Sequence, residues 1–168
     1  MLTQDQKKYL EKIPADKKVV VKPYDPKTPE IVAELVDKIH SVEPDLEVVH
    51  LGASSLGISG QGDIDLSVLR PKESFAEHKE KLKKVLGEPV SGIGLVEWRF
   101  EKAGHDISIY LADPGDPSTA RQLKVQQILK NNPTLLKEYE ELKESAAKLS
   151  YREYQRQKYE FYNKILTK

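Results

Sequence analysis

The sequence predicts an α+β domain: a mixed sheet backed by helices, followed by a helical C-terminal third. Three observations predict it. Short apolar runs with period-two alternation recur between residues 19 and 111, stretches of helical periodicity separate them, and everything beyond Asp113-Pro114-Gly115-Asp116-Pro117 reads as helix. With 168 residues and 38% hydrophobic content, the chain is expected to be one domain. Its core sheet should span about 19–112 and its C-terminal helices about 118–166.

Thr3 can cap a short helix that ends before Pro14, with Tyr9, Leu10 and Ile13 as its apolar side. Val19-Val20-Val21 reads as a strand closed by the turn-rich Pro23-Tyr24-Asp25-Pro26. Pro29 fits the first turn of a helix to about Ser41, with Ile31, Val32, Leu35, Val36 and Ile39 on one face. Leu46 to Leu51 is a second strand, and Asp63 to Leu69 a third. In the third, Ile64, Leu66 and Val68 point one way and Asp63, Asp65 and Ser67 the other. Ser74 to Leu86 is an amphipathic helix. Leu95 to Glu101 is a strand with Val96, Trp98 and Phe100 on its core face, and the Ala103-Gly104 turn leads into the strand His105 to Leu111. Helices at about 118–131, 134–148 and 150–166 follow, divided by Asn131-Asn132-Pro133 and by Ser150.

Charge and composition exclude several classes of function. The 27 basic and 27 acidic residues cancel, which argues against long nucleic acid as a partner but leaves room for a mononucleotide. The absence of cysteine excludes disulfides and thiolate metal sites. No run approaches the roughly 20 apolar residues that span a bilayer, and the N-terminus has no signal-peptide core, so a cytoplasmic protein without a membrane partner is expected.

Function is concentrated between Gly52 and Asp65. Four of the nine glycines lie between Gly52 and Gly62, and that stretch runs directly into Asp63-Ile64-Asp65. Backbone rich in Gly and Ser can wrap a phosphate, and the Ala53, Ser54 and Ser55 amides and hydroxyls offer donors. Asp63 and Asp65 share the polar face of their strand, and Asp106 repeats the alternation on a later one. If those strands pair, neighbouring carboxylates come within about 5 Å. Such carboxylates repel unless a cation neutralises them, and a hard divalent ion with oxygen ligands, Mg²⁺ first, is the natural partner. Two such ions could clamp a phosphoryl transfer.

This arrangement resembles the nucleotidyltransferases of the DNA polymerase β superfamily. Their signature is an apolar residue with Gly, then some ten residues later Asp, an apolar residue and Asp or Glu, with a third carboxylate on a later strand. Leu51-Gly52, Asp63-Ile64-Asp65 and Asp106 fill those positions. Within that superfamily the chain resembles the GrpB family more closely. The matching blocks are Tyr24-Asp25-Pro26, the strand Val48-Val49-His50-Leu51-Gly52, the run from Gln127 through Pro133 to Tyr139 and Lys143, and Tyr154, Lys158 and Phe161 in the last helix. The likeness covers about Val19 to the C-terminus. It departs at Ala53, where many members carry Ser, and at Thr28, where a Trp is expected. The chain keeps both aspartates of a pair of which many members keep one.

The resemblance implies a nucleotidyltransferase-like fold of the polymerase β palm type, transferring a nucleoside monophosphate from an NTP to a small-molecule acceptor. Asp63 and Asp65 would hold Mg²⁺ (two ions at most, with Mn²⁺ as substitute). Asp106 would be the third ligand or the base for the acceptor, and Gly52, Ala53, Ser54 and Ser55 would meet the phosphates. The fold also admits a nucleotide- or cofactor-binding module without turnover, or an interaction protein that uses its helical tail.

Outside this stretch the expectations are structural. His50 and His105 are read as structural, Trp98 and Phe100 as core, and Arg121, Lys124 and Lys130 as a solvated helix face. The aromatic tail, Tyr139 to Tyr162, should pack the last helices onto the domain or onto a second copy, so homo-oligomerisation is left open.

Overall fold

The structure, a computed structural model, describes residues 1–90 and 95–167. Thr3 caps α1 (Gln4–Lys12), and its hydroxyl and the Gln6 side chain exchange hydrogen bonds with each other's backbone N–H. α2 (Thr28–His40) carries Pro29 in its first turn. The strands are β1 (Glu47–Leu51), β2 (Ile64–Leu69), β3 (Val96–Lys102) and β4 (His105–Ala112), with α3 (Phe75–Leu86) between β2 and β3. α4 (Pro117–Lys130), α5 (Pro133–Ala146) and α6 (Tyr151–Leu166) complete the chain. The side chains of Asp116, Asn132 and Ser150 cap these three helices, so the polar residues that divide the tail in sequence are the ones that start each helix.

The sheet order is β1-β2-β4-β3. β2 and β4 run parallel, and the outer pairs are antiparallel. The expected alternation holds: Ile64, Leu66, Val68, Trp98, Ile107, Ile109 and Leu111 form one core with Ile31, Leu35 and Ile39 of α2 and Leu82 of α3. Each such side chain, once buried, contributes about 1.5–3 kcal/mol. Trp98 fills the centre of this layer and donates its Nε1–H to the Gly87 carbonyl at 2.9 Å. The opposite, polar face of the sheet is thereby left to the C-terminal helices.

One expected strand is absent. Val19-Val20-Val21 is extended but joins no sheet, making only isolated bridges at Lys18–Ser150 and Lys22–Gly60. The sheet therefore begins at residue 47 rather than near 19. Burial explains the difference: Val19 packs against Ala146 and Tyr154 at the α5–α6 corner, while Val20 is 65% exposed. The run's apolar character serves a helix corner and not a pleated face.

The segment before α2 is tied to the sheet through His105. Its Nδ1 lies 2.7 Å from the Gly62 carbonyl oxygen and its Nε2 lies 2.8 Å from Asp25 Oδ2. Asp25 also accepts from the Lys27 N–H through Oδ1 at 2.9 Å. The hydrogen bond to Asp25 raises the His105 pKa above its ordinary 6.5, against the opposing effect of burial, with the Gly62 carbonyl adding to the rise. A raised folded value means that this histidine stabilises the fold fully below pH 6.5 and that the contribution is lost as pH rises through the folded value. His105→Gln is therefore expected to lower the melting temperature more at about pH 5.5 than at about pH 8.5. An equal loss at both values would contradict the charged link.

Candidate active site

The glycine loop, residues 52–62, leaves the end of β1 and returns at the start of β2. Gly52 has φ 82°, a conformation that side chains with a Cβ rarely adopt, and it opens a single 3₁₀ turn over Ala53–Leu56. Leu51 pairs with Asp65 across β1 and β2, which brings the bend alongside the carboxylate. A Cβ added at Gly52 would lie 3.6 Å from Asp65 Oδ2, ordinary contact distance, so the bend and the carboxylate are close neighbours. The first N–H groups of such a turn have no partner within it.

The loop is fixed from its far side by the helices. Ile58 is buried among Val125 and Leu129 of α4, Tyr139 of α5, and Phe161 and Ile165 of α6. The Ser59 N–H and hydroxyl donate to Glu140 at 3.0 and 3.1 Å. Gly60 and Lys22 exchange two backbone hydrogen bonds, 2.6 and 3.0 Å long. The loop's own hydroxyls are also engaged. Ser54 Oγ meets His50 Nε2 at 2.8 Å, while Ser55 Oγ donates to the Gly52 carbonyl at 2.7 Å and accepts from Gln126 Nε2. Burial pushes the His50 pKa down to about 4, so its imidazole is neutral and acts as a structural partner. These hydroxyls shape the turn, and the backbone N–H groups are what it offers a phosphate.

The polar face of the sheet forms the floor. Asp65 stands in register with Ser108 of β4, which faces Arg99 of β3, and Ser67 is aligned with Tyr110 and Glu97 in the next row. Burial pushes the Asp65 carboxyl up to about 6, with Asp63 and Glu97 adding to the rise and Lys158 and Arg99 opposing it. Glu97 is buried and paired with Arg99 at 2.5 Å. Burial first, then the Asp65 charge, pushes the Tyr110 hydroxyl up to about 12.

The structure brings Gly52 beside Asp65, and Asp63 lies near enough for its charge to act on Asp65. Asp106 lies on the same face but is exposed, in register with Glu101. Among the described residues no three His, Asp or Glu side chains gather into a group that could hold a metal ion, so Asp106 is not drawn in with the pair. Arg121 donates to Asn163 Oδ1 at 2.7 Å, bracing α4 on α6.

Four residues to which the sequence assigns no chemical role enter the site: Glu97, Tyr110, Lys143 and Lys158. Burial and the charge of Lys158 depress the Lys143 amine to about 7, opposed by Asp63 and Glu140. Lys158 is held well above the ordinary lysine range, chiefly by the Tyr162 phenol beside it and against the effect of burial, with Tyr139, Tyr154 and Asp63 contributing. The site therefore combines two carboxylates, Asp65 on β2 and Asp63 just before it, with two amines on the helices. A cavity of about 420 Å³ lies behind the loop, between α2 and the His50–Ser54 pair, and neither Asp63 nor Asp65 lines it. No described helix is long and apolar enough to cross a membrane.

One solved structure shares this architecture. The crystal structure of the conserved protein GrpB from Enterococcus faecalis superposes with a TM-score of 0.64 at 17% identity, covering 88% of this chain and 99% of that one. A structure of Cid1, described through its RNA terminal uridylyl transferase activity, gives 0.48 at 16% identity. The aligned region is 85% of this chain and 48% of Cid1, about half of that protein's length. No curated protein matches by sequence. The family described as GrpB protein matches residues 18–168, nearly the whole chain. An α+β sheet with a helical C-terminal third, and a family match that runs through both parts, make this chain a member of the GrpB protein family.

Proposed function

We propose that the chain is a Mg²⁺-dependent nucleotidyltransferase that moves a nucleoside monophosphate from an NTP to the hydroxyl, phosphate or amine of a small acceptor. The observation that carries this reading is the approach of the Asp65 carboxylate to the bare Cα of Gly52, with Asp63 close enough to raise Asp65 further. A phosphate-wrapping turn and a mutually repelling carboxylate pair are neighbours.

The donor set fits a hard divalent ion. Asp63 and Asp65 supply oxygen ligands, and the cost of burying Asp65 beside a second carboxylate is what a cation would relieve. Asp63 and Asp65 would hold Mg²⁺, with Mn²⁺ as a substitute and Asp106, exposed on the same face, as base for the acceptor. When bound, the ion would offset negative charge on the phosphates as it shifts toward the leaving group.

The chain's own groups do the rest. Gly52 admits the phosphate to the backbone, and the amides at the start of the 3₁₀ turn donate to its oxygens. The acceptor atom attacks the α-phosphorus in line, its bond to phosphorus forms as the bond to the bridging oxygen breaks, and pyrophosphate leaves. The acceptor's proton passes to Asp106 or to solvent. A second reading, nucleotide binding without turnover, is favoured by the exposed position of Asp106 and by the Lys158 amine, which already opposes the charge of Asp65.

Calorimetric titration of the four NTPs with and without Mg²⁺, on the native chain and on Asp65→Asn, tests the binding that both readings share. Binding that requires Mg²⁺ and weakens in the variant supports the carboxylate site. No binding by either protein at millimolar nucleotide contradicts it. Pyrophosphate release then separates the transferase from the binding module.

A further inference from the structure

The cavity of about 420 Å³ behind the glycine loop takes no part in the transfer proposed above, and it lies on the α2 side of the sheet. His50 of β1 is in register with Leu66, a core residue, so its ring belongs to the face that α2 covers. Leu51 beside it shares the face of Asp65. α2 divides its surface between two tasks. Ile31, Leu35 and Ile39 enter the core, while Pro29, Val32, Val36 and Asp37, offset by helical spacing, line the cavity. From Pro29 to Asp37 the helix rises about 12 Å, so the space runs along α2.

The polar groups on this helical wall are few, with Thr28 at one end and Asp37 at the other. Thr28 is 1% exposed, yet its hydroxyl makes no hydrogen bond with another described residue. A buried hydroxyl is ordinarily paired, so this one is left to whatever fills the cavity. The Asp37 carboxylate has no ion pair among the described residues, and no described lysine or arginine lines the cavity with it. Across from α2, His50 is neutral, because burial depresses its pKa to about 4, and its Nε2 is engaged with Ser54. The described lining therefore carries one negative charge and no positive one, beside an apolar wall of Pro29, Val32 and Val36.

We propose that this cavity is a second binding site, for a small organic cation with an apolar body, held with its ammonium group against Asp37 and its body between α2 and His50. The volume falls within the roughly 300–1,000 Å³ of small-molecule sites, where an apolar lining supplies contact and a few polar groups fix orientation. An anionic ligand is disfavoured, because it would meet the Asp37 charge with no cation to offset it. The site does not depend on the nucleotide reading, since neither Asp63 nor Asp65 lines it.

The test uses phenethylamine, phenethyl alcohol and hydrocinnamate, which share a phenylethyl body and end in a positive, a neutral and a negative group. Each is titrated at neutral pH and fixed ionic strength into the isotopically labelled native chain and into Asp37→Asn, Ala33→Trp and Asp65→Asn, and the backbone amide signals are followed by NMR. In the native chain the amine should shift the signals of residues 32 to 37 and of Ser54 and Ser55. Its Kd should lie about fivefold below that of the alcohol, the size of one partly exposed ion pair, and hydrocinnamate should bind weakest. Asp37→Asn should bring the amine and the alcohol to equal affinity. Ala33→Trp, at an exposed helix position on the cavity wall, fills the space and should weaken the amine at least about tenfold. Asp65→Asn should bind the amine as the native chain does. Equal binding of the three compounds, an unchanged preference in Asp37→Asn, or shifts centred on Asp63 and Asp65 would overturn the site, as would no shift at millimolar amine. If Ala33→Trp does not fold, Asp37→Asn, altered at an exposed position, decides alone. Loss of Mg²⁺-dependent NTP binding in Asp65→Asn bears on the carboxylate reading and leaves this site standing.

Discussion

Replacing Asp65 by Asn is expected to lower Mg²⁺-dependent pyrophosphate release from NTPs at least about a hundredfold, and at the same time to make the protein more stable at neutral pH. The first effect follows from removing a charged oxygen ligand beside the phosphate turn. The second follows from the direction in which the fold moves the carboxyl. Asp65 titrates near about 6 in the fold against an ordinary 3.8, because burial and Asp63 disfavour its charge. Between these values the folded chain binds a proton that the unfolded chain has released, so stability falls as pH rises, and the full cost is present above about pH 6. That cost is no more than about 2–3 kcal/mol, an upper bound because the side chain keeps some solvent contact. Asn removes it. The variant's advantage in melting temperature over the native chain should be visible at about pH 8 and should shrink toward about pH 4.5. A variant that melts lower than the native chain at the higher pH, or releases pyrophosphate at the native rate, contradicts the assignment.

Truncating Ile58 to Ala is expected to cost about 2–4 kcal/mol of stability and to weaken nucleotide binding as well. Ile58 is 6% exposed and is the apolar anchor of the glycine loop in the helical third. Its removal leaves a cavity among Val125, Leu129, Tyr139, Phe161 and Ile165 and frees the turn that carries Gly52 and Ala53. The matched control is Leu82→Ala. Leu82 is fully buried, but in the layer between α3 and the sheet, away from the loop. Both variants should lose comparable stability by chemical denaturation, and only Ile58→Ala should also lose NTP affinity. Equal affinities in the two variants would show that the helical anchor does not position the loop.

Strands β2, β3 and β4 were legible in the sequence because apolar residues alternate along each of them. Ile64, Leu66 and Val68 alternate with Asp65 and Ser67, and the structure buries the first three completely. The C-terminal helices were legible through the breaks at Asp113 to Pro117, Asn131 to Pro133 and Ser150, where the structure uses Asp116, Asn132 and Ser150 as caps. Val19 to Val21 misled because three consecutive valines satisfy strand propensity whether or not a neighbouring strand is available, and the corner formed by Ala146 and Tyr154 took Val19 instead.

The candidate site was half legible. Gly52 and the two aspartates stand out by type and spacing, whereas the lysines are visible only as exceptions to a pattern. Lys143 lies between Tyr139 and Ala146 on the buried face of α5, and Lys158 interrupts the stripe of Tyr154, Phe161 and Ile165 on α6. A lysine within an apolar helical stripe is the signal, and its meaning depends on what the stripe faces, which only the tertiary structure supplies. Glu97 was hidden for a related reason, since its β3 neighbours Trp98 and Phe100 mark the strand as core and its own face becomes informative only once β3 is placed beside β4.

The most direct test of the central claim is a crystal structure of the native chain with Mg²⁺ and a non-hydrolysable α,β-imido nucleoside triphosphate. The account predicts metal density at Asp63 and Asp65 and the α-phosphate against the Gly52 turn. A nucleotide bound elsewhere, or bound with no metal at the two aspartates, would contradict it.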